Sequence, residues 1–223
     1  MTKKLFIEAI TKYVLGVLLI GLLIFLPAGT LAFWHGWLFM GVHFVPMFFA
    51  GIVMMFKNPE LLKKRLNAKE KQSEQGIVLK LSGLMFLAGF IVAGLNFRLG
   101  WYVLPKSIAI GATVVFLVSY VLYAEVLREN MYLSRTIEVQ ENQKVIDTGL
   151  YGIVRHPMYS VTLLLFLAIP FILGSLPSFV IFLAYPFIIA KRIRHEETLL
   201  ENELDGYLAY KEKVKYRLIP MIW

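Results

Sequence analysis

The sequence predicts an all-α, polytopic membrane helix bundle: four long spans followed by a short C-terminal helical hairpin, with the polar segments gathered at the cytoplasmic face. Three observations carry this. Of the 223 residues, 58% are apolar and only 17% charged, and mean hydropathy is +0.68, whereas a soluble domain has roughly 45 to 50% apolar and about 25% charged residues. Uncharged stretches recur at lengths that suit a bilayer, which takes about 20 apolar residues per helical pass. Finally, 21 of the 23 Lys and Arg fall on one side of the resulting topology.

The elements follow in chain order. Tyr13 to Phe56 holds 44 residues without Asp, Glu, Lys or Arg, enough for two passes, with the turn expected near Trp34, His35, Gly36 and Trp37, where indoles suit the interface. The apolar run after Met1-Thr2-Lys3-Lys4 is longer than a secretory signal's core, so it reads as a retained first span. The 57 to 76 segment, where Lys63, Lys64 and Arg65 are balanced by Glu60, Glu70 and Glu74, reads as a solvated connection. Leu81 to Phe97 and Ser107 to Ala124 give the third and fourth spans. Pro157 to Ala190 is 34 residues without charge, broken by Gly174-Ser175-Leu176-Pro177-Ser178, a turn signal. It is too short for two full passes and reads as a hairpin whose second arm leaves the bilayer at Lys191-Arg192-Ile193-Arg194. Residues 1–124 thus form a four-span membrane region and residues 125–223 a second region carrying the hairpin 157–190. Gly89 and Ala93 have the small-xxx-small spacing of close helix packing, and His43 reads as a packed, hydrogen-bonded residue.

A cytoplasmic N-terminus puts 1 to 12, 57 to 80, 125 to 156 and 191 to 223 on the cation-rich side and leaves only Arg98 and Lys106 outside, as the positive-inside rule requires. Both termini are then cytoplasmic, and a bacterial inner membrane is expected in preference to the endoplasmic reticulum. The net charge of +8 is topological first, with attraction to anionic membrane lipids as its second use. Nucleic acid is not an expected partner, because no basic stripe with interleaved aromatics stands apart from the membrane edges. The chain has no Cys, which removes disulfide scaffolds, thiolate metal sites and thiol nucleophiles. His35, His43, His156 and His195 stand in no metal-binding spacing, so no metal is expected.

Chemistry is left to the two long cytoplasmic segments. In the first, Arg135-Thr136-Ile137-Glu138-Val139 and Lys144-Val145-Ile146 flank Glu141-Asn142-Gln143 as a candidate small β-hairpin. It leads into Gly149-Leu150-Tyr151-Gly152-Ile153-Val154-Arg155-His156-Pro157-Met158-Tyr159. Pro157 suits the first position of a helix and keeps His156 extended just before it. That helix end offers unpaired N–H groups to an anionic group, Arg155 adds a donor fork, and Tyr151 and Tyr159 can stack on a flat ring. In the second segment Arg192 and Glu196 read as an i,i+4 pair on a solvated helix. Adjacent Glu196 and Glu197 point about 100° apart on a helix, so one of them is expected to face the hairpin, where a carboxylate can hold a ribose diol or a cation.

The ordered set Gly-x-Tyr-x-x-Val-Arg-His-Pro-x-Tyr, a hydrophobic hairpin, Glu-Glu-x-x-Leu, Tyr-x-x-Tyr and a terminal Arg-x-x-Pro resembles the integral-membrane methyltransferases of the isoprenylcysteine carboxyl methyltransferase and phospholipid methyltransferase superfamily, over roughly residues 135 to 220. The resemblance implies that 125–223 is a catalytic region with a cytoplasmic cofactor pocket for S-adenosyl-L-methionine. Carried over by position, Leu150, Tyr151, Arg155, His156, Pro157, Tyr159, Glu196 and Glu197 bind the cofactor, and Glu197 and Arg217 are catalytic, Arg217 orienting the acceptor. The acceptor is expected to be a lipid-like small molecule or a lipidated one, methylated on a carboxylate or amine. In this chain Leu150, Val161 and Leu204-Asp205-Gly206 depart from the family pattern. Membrane sterol and enone reductases that use NADPH carry a similar Arg-His-Pro-x-Tyr block, though with Asn where this chain has Met158. A non-catalytic binder or transporter is the third reading, but the first four spans lack the paired mid-bilayer charges that transport favours.

Overall fold

A computed structural model of the chain describes residues 3–66, 73–130, 132–133 and 139–223. Among them the regular structure is helical: α1 (Lys3–Ala28), α2 (Trp34–Lys57), α3 (Pro59–Leu66), α4 (Ser73–Leu99), α5 (Lys106–Glu129), α6 (Pro157–Ile172), α7 (Leu176–Phe182), α8 (Tyr185–Glu203) and α9 (Tyr207–Lys213). Helices α1, α2, α4 (from Gly76) and α5 are the four long apolar spans, and α7 with α8 gives a fifth stretch long and apolar enough to cross a membrane, interrupted at Leu183-Ala184. The chain is an integral membrane protein. Leu15, Leu18, Leu19, Leu22 and Leu26 of α1 are all exposed, the composition expected of a face in contact with lipid.

Local chemistry sets the boundaries. The first turn falls at Gly29–Phe33, five residues earlier than the tryptophans suggest, because Gly29 ends α1 with its N–H on Phe25 O (3.0 Å) and Trp34 already begins α2. Pro59 opens α3, with Asn58 Oδ1 accepting from Leu61 N (3.1 Å). This corrects the reading of 57 to 76 as a solvated connection: Leu61 and Leu62 are buried, Lys64 Nζ donates to Gln140 Oε1 at 2.6 Å and Arg65 to the Tyr123 hydroxyl. Gly174 ends α6 at φ +66, with the His35 ring where a side chain would stand. Ser175 then caps α7, its Oγ accepting from Ser178 N at 3.2 Å.

The core lies where α5 runs along α6 and α4 packs on α1 and α7, centred on Phe33, Phe39, Phe116, Phe182, Ile172 and Ile193. Ala93 is fully buried, Gly89 sits under the Phe182 ring, and Gly94 brings α4 onto the α1 backbone. A β-carbon at Gly94 would stand 2.5 Å from Ile24 O. Gly94→Ala is therefore expected to cost about 1–3 kcal/mol through overpacking, read as a lowered thermal midpoint in detergent with unchanged helix content. His43 is packed and bonded as its sequence context suggests, Nδ1 lying 3.0 Å from the Tyr120 hydroxyl.

The β-hairpin expected at the start of the C-terminal region takes another form. Arg135, Thr136, Ile137 and Glu138 lie outside the described residues. Residues 139–148 form a loop with a turn in which Gln143 N donates to Gln140 O. Val139 and Val145 are spent on Leu204, Tyr207, Tyr210 and Val214 of the C-terminal segment rather than on each other.

Candidate active site

The site grows from one pair of residues, Arg155 in a bend and His156 at φ −125 and ψ 60, which is short of the extended backbone that the following proline predicts. A 3-10 turn over Gly149–Gly152 and the proline at the start of α6 leave Arg155 and His156 between two helical elements. Their N–H groups donate to Tyr216 O and Arg217 O, both at 2.9 Å, so the C-terminal tail lies alongside them. The Arg155 guanidinium then turns inward, Nη1 reaching Val214 O (2.7 Å) and Lys215 O (2.8 Å) and Nε reaching Glu197 Oε1 (2.8 Å). Glu197 Oε1 also lies 3.3 Å from His156 Nε2, and Oε2 accepts from Arg217 Nε at 2.7 Å. With Glu197 only 3% exposed, such pairing is obligatory, because an unpaired buried charge is very costly. Both oxygens of this carboxylate are occupied.

Beside this cluster, at the end of the bundle where α5 and α8 finish and α6 begins, is a cavity of about 110 Å³. Tyr159 is its hub: the hydroxyl donates to Glu196 Oε2 (2.5 Å) and accepts from Arg192 Nε (2.9 Å), while the His156 ring stacks on the phenol ring with centroids 5.7 Å apart. Across the cavity Asn130 Nδ2 donates to the Tyr151 hydroxyl (3.0 Å), and the Tyr210 hydroxyl donates to Tyr151 O (2.8 Å). Tyr207, also in the wall, is 4% exposed and its hydroxyl has no partner among the described residues. Burial, reinforced by Glu197 and Glu196, pushes the Tyr207 phenol up, and burial does the same for Tyr210 and Tyr151. All three are neutral donors at physiological pH.

Of the residues singled out from the sequence, Tyr151, Arg155, His156, Tyr159 and Glu196 line the cavity. Leu150, Pro157, Glu197 and Arg217 do not. Leu150 packs against the main core, Pro157 serves as the helix start, and Glu197 sits behind Arg155 and His156. Arg217 lies on the tail with its guanidinium over the Trp223 ring, 5.3 Å from the centroid. Both acids of the pair face inward, on different partners. Arg192 is not on a solvated face as expected: it is 8% exposed and its Nε bonds the Tyr159 hydroxyl. Asn130, Arg192, Tyr207 and Tyr210 are wall residues that the sequence reading left out, although the Tyr-x-x-Tyr spacing was a usable signal for the last two.

Residues 109–202 match the sequence model of the Isoprenylcysteine carboxyl methyltransferase (ICMT) family. The resemblance recognised in the motifs is borne out over that stretch. Among solved structures, that of the eukaryotic intramembrane Ras methyltransferase ICMT is similar in fold, with a TM-score of 0.54 at 17% identity, covering 82% of this chain and 65% of that one. This chain therefore spans a little under two thirds of the length of that relative. No curated protein sequence matches. The ICMT match begins in α5 and ends at the last turn of α8, so it takes in Tyr151, Arg155, His156, Tyr159, Glu196 and Glu197 and stops short of Tyr207, Tyr210 and Arg217. The tail that completes the cluster lies beyond the matched stretch.

Proposed function

We propose that the protein is an S-adenosyl-L-methionine-dependent membrane methyltransferase acting on the polar head of a lipid-like or lipidated acceptor, with both termini in the cytoplasm. The observation that carries this reading is the cavity at the bilayer edge, walled by Tyr151, His156, Tyr159 and Glu196 within the stretch that matches the ICMT family. Its lining suits a cationic nucleoside in kind: two tyrosines and an imidazole for a flat ring, the Glu196 carboxylate for a cation or ribose diol, and the orphan Tyr207 hydroxyl for a ligand atom. Its size is below the roughly 300–1,000 Å³ of small-molecule sites, so a whole nucleoside requires the cavity to widen.

When bound, the cofactor supplies a methyl group already activated on a sulfonium, so the protein's work is alignment and the exclusion of water, worth several kcal/mol. In this reading His156 and Tyr159 hold the nucleoside, Glu196 faces its positive end, and Glu197 fixes Arg155, His156 and Arg217 in place. Arg217 spends only Nε on Glu197, and its Nη groups make no hydrogen bond among the described residues, which leaves them to orient a carboxylate acceptor. A carboxylate is a ready nucleophile. An amine acceptor must first lose a proton, and Glu196 is the acid in the wall for that role. A greasy acceptor can arrive sideways from the bilayer while the soluble donor arrives from the cytoplasm.

Calorimetric titration of the purified full chain with S-adenosylhomocysteine and, separately, NADPH tests the proposal. Binding of the first alone is expected. Binding of NADPH alone would move the protein to the reductases, and binding of neither would remove the enzymatic reading. Tyr207→Phe adds a finer test. Deleting an unpaired buried hydroxyl is expected to raise stability by up to about 1 kcal/mol while weakening S-adenosylhomocysteine binding severalfold. A gain in stability with unchanged affinity would take Tyr207 out of the nucleoside site.

A further inference from the structure

The opposite end of the bundle carries a feature that the methyltransferase reading does not use. Between α1 and the start of α2 runs an open apolar groove of about 610 Å³, lined by Gly21, Phe25, Gly29, Trp37 and Met40 among others. It extends along α1 from Val17 to Gly29, about 18 Å at the helical rise, close to the depth of one leaflet of a hydrocarbon core about 30 Å thick. Its floor exists because Gly21 has no side chain: a carbon there would enter the groove and meet only Met40 Cε, at 3.6 Å.

A cation stands beside the Gly29 end of the groove. Arg98, exposed at the end of α4, lays its side chain over Gly29, with Cζ 3.6 Å from where a β-carbon would stand. Arg98 makes no hydrogen bond or ion pair among the described residues. The only other cation in this part of the sequence, Lys106, lies over the Trp34 ring. A guanidinium placed where the rest of the chain avoids cations, against Gly29 at one end of an apolar channel one leaflet deep, matches the two halves of one molecule. At the rim Trp37 Nε1 donates to Leu31 O at 2.8 Å, which holds the indole as a fixed wall. We infer that this groove binds an anionic phospholipid of the leaflet opposite the cavity, one acyl chain along α1 and its phosphate on Arg98. The methyl acceptor is not the occupant, because α5 alone separates the two ends by about 36 Å.

The test uses the full chain in nanodiscs of equimolar dioleoylphosphatidylglycerol and dioleoylphosphatidylcholine, with retained lipid counted by native mass spectrometry after release from the disc. The two lipids share their chains, so only the headgroup is compared. Retention of the glycerol lipid about fivefold over the choline lipid is expected, the preference that one cation near a headgroup supplies. Arg98→Gln should bring the ratio close to one. Gly21→Leu should abolish retention of both lipids while circular dichroism shows the helices intact, and Arg98→Gln carries the test if that variant fails to fold. Equal retention by the native protein, or a ratio unchanged by Arg98→Gln, overturns the inference. So does a Gly21→Leu variant that keeps its lipid.

Discussion

Glu197→Ala is expected to lower stability by about 3–5 kcal/mol and to weaken S-adenosylhomocysteine binding by at least tenfold. The argument is electrostatic. This carboxylate is 3% exposed and accepts from Arg155 and Arg217, with His156 Nε2 at 3.3 Å. Removing it strands the Arg155 guanidinium, 6% exposed, with only two peptide carbonyls for company, and partners left behind cost more than the pair itself is worth. The spans should remain helical, because nothing in the α1–α4 packing touches Glu197. Glu197→Gln keeps the volume and an acceptor but loses the charge, so it should fall between. A melting midpoint in detergent and a calorimetric titration read the two effects separately. Wild-type behaviour of Glu197→Ala in both would show that the cluster neither supports the fold nor orders the site.

His156→Ala should separate affinity from stability. The His156 backbone N–H donates to Arg217 O whatever the side chain, and His156 O still accepts from Tyr159 N and Ser160 N, so the tail and the first turn of α6 survive. What disappears is a ring stacked on Tyr159 in the cavity wall. Lost stacking and a lost polar contact together weaken nucleoside binding by about tenfold or more, with a midpoint shift of only a few degrees. His156→Phe distinguishes the two contributions: recovery of affinity assigns the role to the ring face, and continued loss assigns it to the nitrogen. Undiminished affinity in both variants would place the nucleoside elsewhere.

The spans were legible because the bilayer imposes a length and a charge rule that composition reveals directly. Tyr13 to Phe56 reads as two helices from its missing charges alone, and α1 and α2 fill that stretch with the turn five residues earlier than the tryptophans suggest. Residues whose role depends on distant partners were less legible. Arg192 sits within a cluster of cations at a membrane edge, Lys191-Arg192-Ile193-Arg194, and nothing within its own helix says that it is buried against Tyr159, 33 positions away. The β-prone character of Val139 and Val145 is real, but it is satisfied by packing on Tyr207 and Tyr210 rather than by strand pairing. The Arg-His-Pro-x-Tyr motif was informative because proline fixes local geometry: it keeps His156 out of the helix and starts α6 at once, which by itself places His156 and Tyr159 together. That Glu197 binds behind the wall while Glu196 faces the cavity follows from a difference of one residue on α8, and only the register of α8 against α6 decides which is which.

The two main-chain bonds from Arg155 and His156 to Tyr216 and Arg217 have a consequence for biosynthesis. The loop before α6 is made some sixty residues ahead of the carbonyls that hold it, so it must wait, unanchored, until the ribosome has released positions 214–217. A chain stalled or clipped between α8 and Tyr216 would still hold all its apolar helices, yet it would lack the strap that fixes Arg155 and His156 beside the cavity.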